Sequence, residues 1–403
     1  MSSSLENTNN ICSRCIMDTT VPCITFDESG VCNYCKMQDK LVKKYPSGEE
    51  GTKKLSNIIQ KIKYEGRNNP YDCIVGVSGG TDSTYTLYLA KKYGLRPLAV
   101  HFDNGWNSEI AVSNIKNAVS KLDVDLYTHV ADWEEFKDLQ ISFLKAAVPD
   151  AEIPTDYIII SVLHEVAKKE GIKYIVDGHS FRAEGTTPIG WSYQDGRYIQ
   201  SVHKIFGKQK ITSFPILSLS KLMYYSFVKG IRHVRPLEYM HYSKREAKEI
   251  LKKELSWKDY GGHHHDSIYT QFFQSYYLIN KFNIDKRKRE YSARIRSNVM
   301  TRQEALKKIT SNPYPVDYEI VNYTISKLGF TKNEFDTIMR APIKTFLDYP
   351  TYFQIIQRFR FPIKVACHLN LVPAILYEKY GKALASNIQR YWKEFENKKN
   401  VVK

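Results

Sequence analysis

Residues 71–93 read YDCIVGVSGGTDSTYTLYLAKKY, and three kinds of backbone follow one another in them. Cys73 to Val77 is a short apolar run with β-branched residues, the pattern of a buried parallel strand. Ser78-Gly79-Gly80-Thr81-Asp82-Ser83 is a tight, glycine-rich turn. Leu87 and Leu89-Ala90 supply the apolar positions of a helix over about 82–93, with Gly94 as its C-cap. A strand, a glycine turn and a helix start make an anion site, because unpaired N–H groups and the helix dipole both favour negative charge there. The two glycines let the chain bend sharply and let a phosphate approach the backbone. Two common phosphate loops are excluded: no lysine follows the glycines as GxxxxGK[ST] requires, and GxGxxG is absent.

Outward from this stretch the chain alternates strand and helix, which predicts a parallel α/β sheet. Pro97 to Phe102 reads as a second strand, with a helix over about 108–121. Strands are expected at 125–130 and 173–176, with helices at about 133–147 and 154–170 between them. Ligands of such sheets bind at the carboxyl ends of the strands, so the residues after each strand are site candidates. After the second strand come Asp103-Asn104-Gly105-Trp106, a short acidic turn. After the fourth come Asp177-Gly178-His179-Ser180-Phe181-Arg182-Ala183-Glu184-Gly185, where His179, Arg182 and Glu184 are candidates for substrate or metal contact. Val234-Arg235-Pro236-Leu237 and then Ser243, an N-cap with Glu246 at N3, close the unit.

The flanks differ in kind. Cys12-x2-Cys15 and Cys32-x2-Cys35 are separated by sixteen residues, a spacing that can close a tetrahedral four-cysteine zinc site. A unit of this size cannot bury enough core to fold unaided, so a metal supplies the missing stability. Three parts follow: a zinc unit over 1–45, the α/β domain over 46–235 with a helix at 53–63, and a mainly helical domain over 236–403. In the last, two features stand out: Tyr260-Gly261-Gly262-His263-His264-His265-Asp266-Ser267 and the basic run Asp285-Lys286-Arg287-Lys288-Arg289.

The chain has 403 residues and a formal net charge of +16, which favours an anionic partner: a nucleotide, a sugar nucleotide, a nucleic acid or an acidic protein surface. The polar start MSSSLENTNN lacks a signal-peptide pattern, and no apolar run is long enough to span a bilayer. Seven cysteines in such a chain argue for a metal rather than disulfides. The expected location is the cytoplasm.

SGGTDS, set between a strand and a helix, resembles the pyrophosphate loop (PP-loop) of the ATP pyrophosphatases. That resemblance implies that the loop holds the β,γ-phosphates of ATP while a substrate attacks the α-phosphate, releasing AMP and pyrophosphate. It implies ATP contacts at Ser78, Gly79, Gly80, Thr81, Asp82 and Ser83, with Ser78 and Ser83 as phosphate donors and Asp82 as a Mg²⁺ ligand. It also implies ATP contacts from the second strand end, His101 and Asp103, and from Gly178. A closer match comes from CSRCIMDTT…GVCNYC, VSGGTDS, HFDNGW, DGHSFRAEG, RPLEY, YGGHHHDSIYT and FNIDKRKR together, which resemble the N-acetyl sugar amidotransferases of bacterial surface-polysaccharide and flagellin-sugar synthesis. The one visible departure is His263, where lysine is expected.

This branch implies amidine formation. ATP adenylates the carbonyl oxygen of a sugar acetamido group, and ammonia displaces AMP. His263, Lys286 and Arg287 become further substrate candidates. Neither Cys73, inside a buried strand, nor Cys367, in the helical context VACHL, has the surroundings of a glutaminase nucleophile. The resemblance therefore implies a separate glutaminase subunit, paired with a cyclase-like barrel protein. The competing reading is a tRNA-modifying PP-loop enzyme. Thiolation needs cysteines near the ATP site, and only Cys73 and Cys367 remain outside the N-terminal head, whereas ligation onto tRNA stays open.

Overall fold

The computed structural model describes residues 10–261, 266–311, 314–368, 377–381 and 385–401. Its centre, among these residues, is a five-stranded sheet in the order β3-β2-β1-β4-β5: β1 Cys73–Gly76, β2 Pro97–Asp103, β3 Leu126–Val130, β4 Tyr174–Val176 and β5 Arg232–Val234. Every pairing is parallel, with Cys73 beside Pro97 and Ile74 beside Ile175 fixing the register of β1 between its neighbours. The central strand is apolar, and its first three residues are fully buried because helices cover both faces. The helices of this region are α3 Thr81–Lys92, α4 Glu109–Leu122, α5 Trp133–Lys145, α6 Ile153–Lys169 and α7 Gly196–Phe206, preceded by α1 Asn33–Lys44 and α2 Gly48–Gly66.

The order reverses between β1 and β4, so the crevice at the carboxyl ends of these two strands is the expected ligand position. Both candidate loops, 77–80 and 177–185, open there.

Expected and observed elements agree to within a few residues over β1–β4 and α3–α6. Three differences have physical causes. α2 is longer than the expected 53–63 because Ser47 starts it and Glu49 and Glu50 favour its first turn. α1 carries Cys35 on its first turn, inside a segment where spacing had indicated only metal ligands. β5 has no counterpart in the sequence reading. It is a three-residue edge strand with two exposed polar side chains, Arg232 and His233, so it lacks the apolar signature of an inner strand.

Beyond the sheet the chain is helical. The helices used below are α8 Lys244–Leu255 and α9 Arg287–Arg296. Ser243 caps α8 by accepting from the Glu246 N–H at 3.4 Å, the first half of the expected capping box. The C-terminal region packs onto the α/β core through aromatic side chains. Tyr349 donates to the Ala146 carbonyl at 3.0 Å, and Tyr193 stacks on Phe346 with centroids 4.4 Å apart.

Candidate active site

The loop after β1 is fixed from behind. Gly79 has φ +79°, a left-handed conformation that favours glycine, and a Cβ there would run into the Ala111 carbonyl of α4. Its own carbonyl accepts from Trp257 Nε1 at 2.9 Å and from Asn114 Nδ2 at 3.2 Å. Ser78 and Ser83 share a hydrogen bond at 3.1 Å, and Ser83 Oγ also receives the Ser78 N–H at 3.1 Å. The two serines therefore hold each other and shape the turn. The first helical bond of α3 runs from Thr84 N–H to the Gly80 carbonyl, which leaves the N–H groups of the preceding first turn without a helical acceptor. That is the structural content of the anion site.

Tyr260 and Asp266 lie across the mouth of the loop. The Thr81 N–H donates to Tyr260 Oη at 3.1 Å, and a Cβ on Gly80 would stand 3.1 Å from Asp266 Oδ2. Burial, with Asp266 nearby, pushes the Tyr260 phenol up to about 12, so it meets the loop neutral. Asp266 is tied to the start of α4, its carbonyl accepting the N–H of the N-cap Ser108 at 2.9 Å.

Asp82, at the start of α3, is engaged on both oxygens. Tyr242 donates to Oδ1, and Lys244 Nζ lies 2.8 Å from Oδ2. Desolvation opposes the Lys244 charge, but Asp82 and then Glu184 and Glu290 raise its pKa on balance. A Mg²⁺ role for Asp82 thus entails an exchange with Lys244. Gly178 comes up against the same first turn, where a Cβ would lie 2.7 Å from the Asp82 carbonyl. Its part is close approach of β4 to α3.

The other ATP candidates divide. His101 is buried, donates from Nδ1 to the Val77 carbonyl at 2.9 Å, and has Nε2 3.3 Å from Asn107 Nδ2. It braces the base of the loop. Asp103 accepts from Gly105 N–H at 3.0 Å and Asn107 Nδ2 at 3.2 Å, the pattern of a self-capped turn.

Across the crevice, His179 donates from Nδ1 to Glu184 at 3.0 Å. Desolvation opposes its charge, yet Glu184 outweighs that and raises its pKa. Asp177 is clamped by Arg235 and His233, both at 3.0 Å. Desolvation works against its charge, but the Arg235 charge and the His233 hydrogen bond draw its carboxyl down to about 2. Arg182 turns inward instead: it is 9% exposed and donates to the carbonyls of Tyr45 at 2.6 Å and Glu238 at 3.3 Å. The sequence reading made it a substrate candidate, whereas its side chain ties the 178–185 loop to two other segments.

The basic run also divides. Lys286 reaches Glu152 at 3.3 Å. Arg287 folds back on Asp285 at 2.7 Å and covers the Tyr314 ring at 4.8 Å. Arg289 donates to Thr187, and its buried Nε has no hydrogen-bond partner among the described residues. Asp156 faces the same charges. Its side chain is exposed by area yet crowded by neighbouring atoms, and this desolvation and Glu152 push its carboxyl up to about 7 against Lys286 and Arg289. His263, with Gly262, His264 and His265, lies outside the described residues.

The structure therefore brings together Asp82, His179, Glu184 and Lys286, and adds Tyr242, Lys244, Tyr260, Asp266, Glu152, Asp156 and Arg289. The sequence held a signal for some of these. Tyr242 and Lys244 sit in the YSKRE element after β5, and Tyr260 and Asp266 bracket the glycine-histidine run. Nothing marked Glu152 or Asp156 as more than the start of a helix.

The four cysteine sulfurs form a separate, buried centre. All lie within 4.8 Å of one another, with pairs at 3.6, 3.7 and 3.8 Å. A tetrahedron of thiolates about 2.3 Å from a zinc ion has edges of about 3.8 Å. Backbone N–H groups of Arg14 and Cys32 point at Cys12 Sγ from 3.4 and 3.2 Å, as thiolates require. The donor set fits a tetrahedral metal ion, and among the described residues it is the one group of three or more such side chains able to share one.

Residues 72–183 match the family model of the queuosine biosynthesis protein QueC, and residues 266–360 match the C-terminal domain of LPS biosynthesis protein WbpG-like proteins. Together these matches support the PP-loop ATP pyrophosphatase family. The chain's pairing of a QueC-like PP-loop domain with a WbpG-like domain supports the N-acetyl sugar amidotransferase branch.

Among similar PP-loop proteins, a 7-cyano-7-deazaguanine synthase of Nitratiruptor sp. is 32% identical over 118 residues, 26% of this chain and 53% of that protein. The tRNA-specific 2-thiouridylase MnmA 2 of Fusobacterium nucleatum is 26% identical over 195 residues, 46% of this chain and 52% of that one. This PP-loop chain spans about half the length of each. An uncharacterized protein of Methanocaldococcus jannaschii is 25% identical over 317 residues, covering 75% of this chain and 94% of its own. No described helix is long and apolar enough to cross a membrane.

Proposed function

We propose that this protein is an ATP-dependent amidotransferase that converts the acetamido group of a nucleotide-activated N-acetyl sugar into an acetamidino group. One observation carries the reading: the WbpG-like region supplies the wall that faces the PP-loop. Asp266 stands at Gly80, and Lys286 and Arg289 meet Glu152, Asp156 and Thr187 beside the 178–185 loop. An acceptor held by that wall meets the α-phosphate of an ATP held by the loop.

The chemistry has two steps. The amide oxygen bonds to the α-phosphorus as the α–β bridging bond breaks, and pyrophosphate leaves. Ammonia then bonds to the imidate carbon, the carbon–oxygen bond breaks, and AMP departs with the former amide oxygen. The product keeps the added proton as an amidinium. An amide oxygen is a poor leaving group and AMP a good one, which is why ATP is consumed. The N–H groups at the start of α3 stabilise charge developing on the phosphates. Lys244, released from Asp82, is placed to do the same, while Asp82 would hold a Mg²⁺ ion, which when bound neutralises phosphate charge. The walls of the cleft shelter the adenylated intermediate from water.

The four cysteines would hold zinc in a closed, structural site. Cys73 cannot serve as a glutaminase nucleophile: it is fully buried in β1, and desolvation and then Asp72 push its thiol well above the ordinary value. On the family resemblance, ammonia comes from a separate glutaminase subunit, with a cyclase-like barrel protein as a further partner, and the work is cytoplasmic. A second reading, modification of tRNA, has the thiouridylase similarity and the +16 charge in its favour.

The deciding experiment measures AMP release from ATP and Mg²⁺ with an ammonium salt, in the presence of UDP-linked N-acetyl sugars or of bulk tRNA. Release that needs the sugar nucleotide, with an amidine seen by mass spectrometry, supports the proposal. Release that needs tRNA alone overturns it.

A further inference from the structure

α9 has two working stripes. Lys288, Ser292 and Arg296, spaced i, i+4, i+8, lie on one line of the helix and meet the four-cysteine unit. Lys288 Nζ is 2.7 Å from Asp18 and 3.2 Å from Thr20 Oγ1. Ser292 Oγ accepts the Ile16 N–H, next to Cys15, at 3.3 Å. Arg296 donates to Gln38 Oε1 at 2.9 Å and points Nη2 at Cys15 Sγ from 3.9 Å. Just past α9, Arg302 binds the carbonyls of Cys12 and Cys15 at 3.1 Å.

The adjacent stripe meets the crevice. Arg289 donates to Thr187, Ala293 lies 3.2 Å from where a Gly185 Cβ would be, and Lys286 at the helix start pairs with Glu152. After the helix, Ser297 Oγ donates to the Arg182 carbonyl at 3.0 Å. One ten-residue rod thus has the cysteine unit on one side and the 178–187 loop on the other.

We propose that the four-cysteine unit is a positioning device for the acceptor half of the cleft: by gripping Lys288, Ser292 and Arg296 it fixes where α9 presents Lys286 and Arg289, and the ATP half is held independently. The ATP half has its own supports, Asn114, Trp257 and Ala111 behind Gly79. The terms acceptor half and ATP half rest on the function proposed above, but the mechanical coupling does not.

The test is hydrogen–deuterium exchange of the full chain, read by mass spectrometry, together with the affinity for a non-hydrolysable ATP analogue. Stripping metal with a chelator is expected to raise exchange in 286–296 and 178–187 by ~10-fold or more while 73–92 keeps its protection. Affinity for the analogue is expected to stay within about twofold. In the metal-loaded chain, Lys288→Met is expected to raise exchange in the same two segments, and Lys288→Arg to restore protection. Unchanged exchange in 286–296 after metal loss, failure of Lys288→Arg to restore it, or equal loss of protection in 73–92 overturns the proposal. These readouts need no acceptor, so they stand or fall apart from the amidine chemistry.

Discussion

Lys244 Nζ and Asp82 Oδ2 lie 2.8 Å apart at the first turn of α3. The pair holds a cation beside the phosphate loop. Asp82→Asn leaves Lys244 with a neutral partner and removes the carboxylate that would hold Mg²⁺. AMP formation is expected to fall by at least ~100-fold. The loss of stability is expected to be about 1–2 kcal/mol, because both groups retain some water. Single-turnover AMP release and a urea titration separate the two effects.

The cysteine centre makes a stoichiometric prediction. The intact chain should carry one zinc, measured by elemental analysis. Cys32→Ser should lose it, because three thiolates and a hydroxyl close the tetrahedron poorly. Its melting temperature should fall, since a unit this small depends on its metal.

His179 and Glu184 make a prediction about pH. The folded pKa of His179 is raised, against desolvation, by Glu184. A raised histidine pKa contributes stability that is fully present below the ordinary histidine value and is lost as pH rises through the raised one. Glu184→Gln should therefore destabilise the protein more on the acid side of that window than on the alkaline side. Denaturant midpoints of both proteins across the window check the sign, and an NMR titration should show the His179 pKa falling in the variant.

Arg182 makes a prediction that separates architecture from binding. Arg182→Ala strands two carbonyl acceptors, a part-buried one at Tyr45 and a buried one at Glu238. A loss of about 2–4 kcal/mol is expected. If the folded fraction keeps the wild-type affinity for the ATP analogue, the arginine is a tie between segments. A loss of affinity without loss of stability would return it to the binding site.

What could be read from the chain depended on how locally each feature is written. The β1-loop-α3 passage is continuous in sequence, so its strand, its turn and its helix start were legible together. The four sulfurs were legible because a metal site repeats a spacing. The opposite wall was harder. Lys286 was a candidate and Arg289 a member of the same basic run, but their acidic partners Glu152 and Asp156 lie over a hundred residues upstream, and nothing in a helix-starting segment marks which carboxyl will face a cleft. Arg182 shows the converse: a charged residue in the right loop can turn its side chain inward to satisfy backbone carbonyls. β5 was invisible because an edge strand is short and polar.

The bond from the Ile16 N–H to Ser292 spans 276 positions of chain. On the ribosome the cysteines emerge first and α9 follows, at ordinary synthesis rates, roughly 15–55 s later. During that interval the thiolates are made without the helix that later covers them. A metal ion would thus have open access to the nascent head before docking, and that access narrows once Arg296 of α9 lies over Cys15.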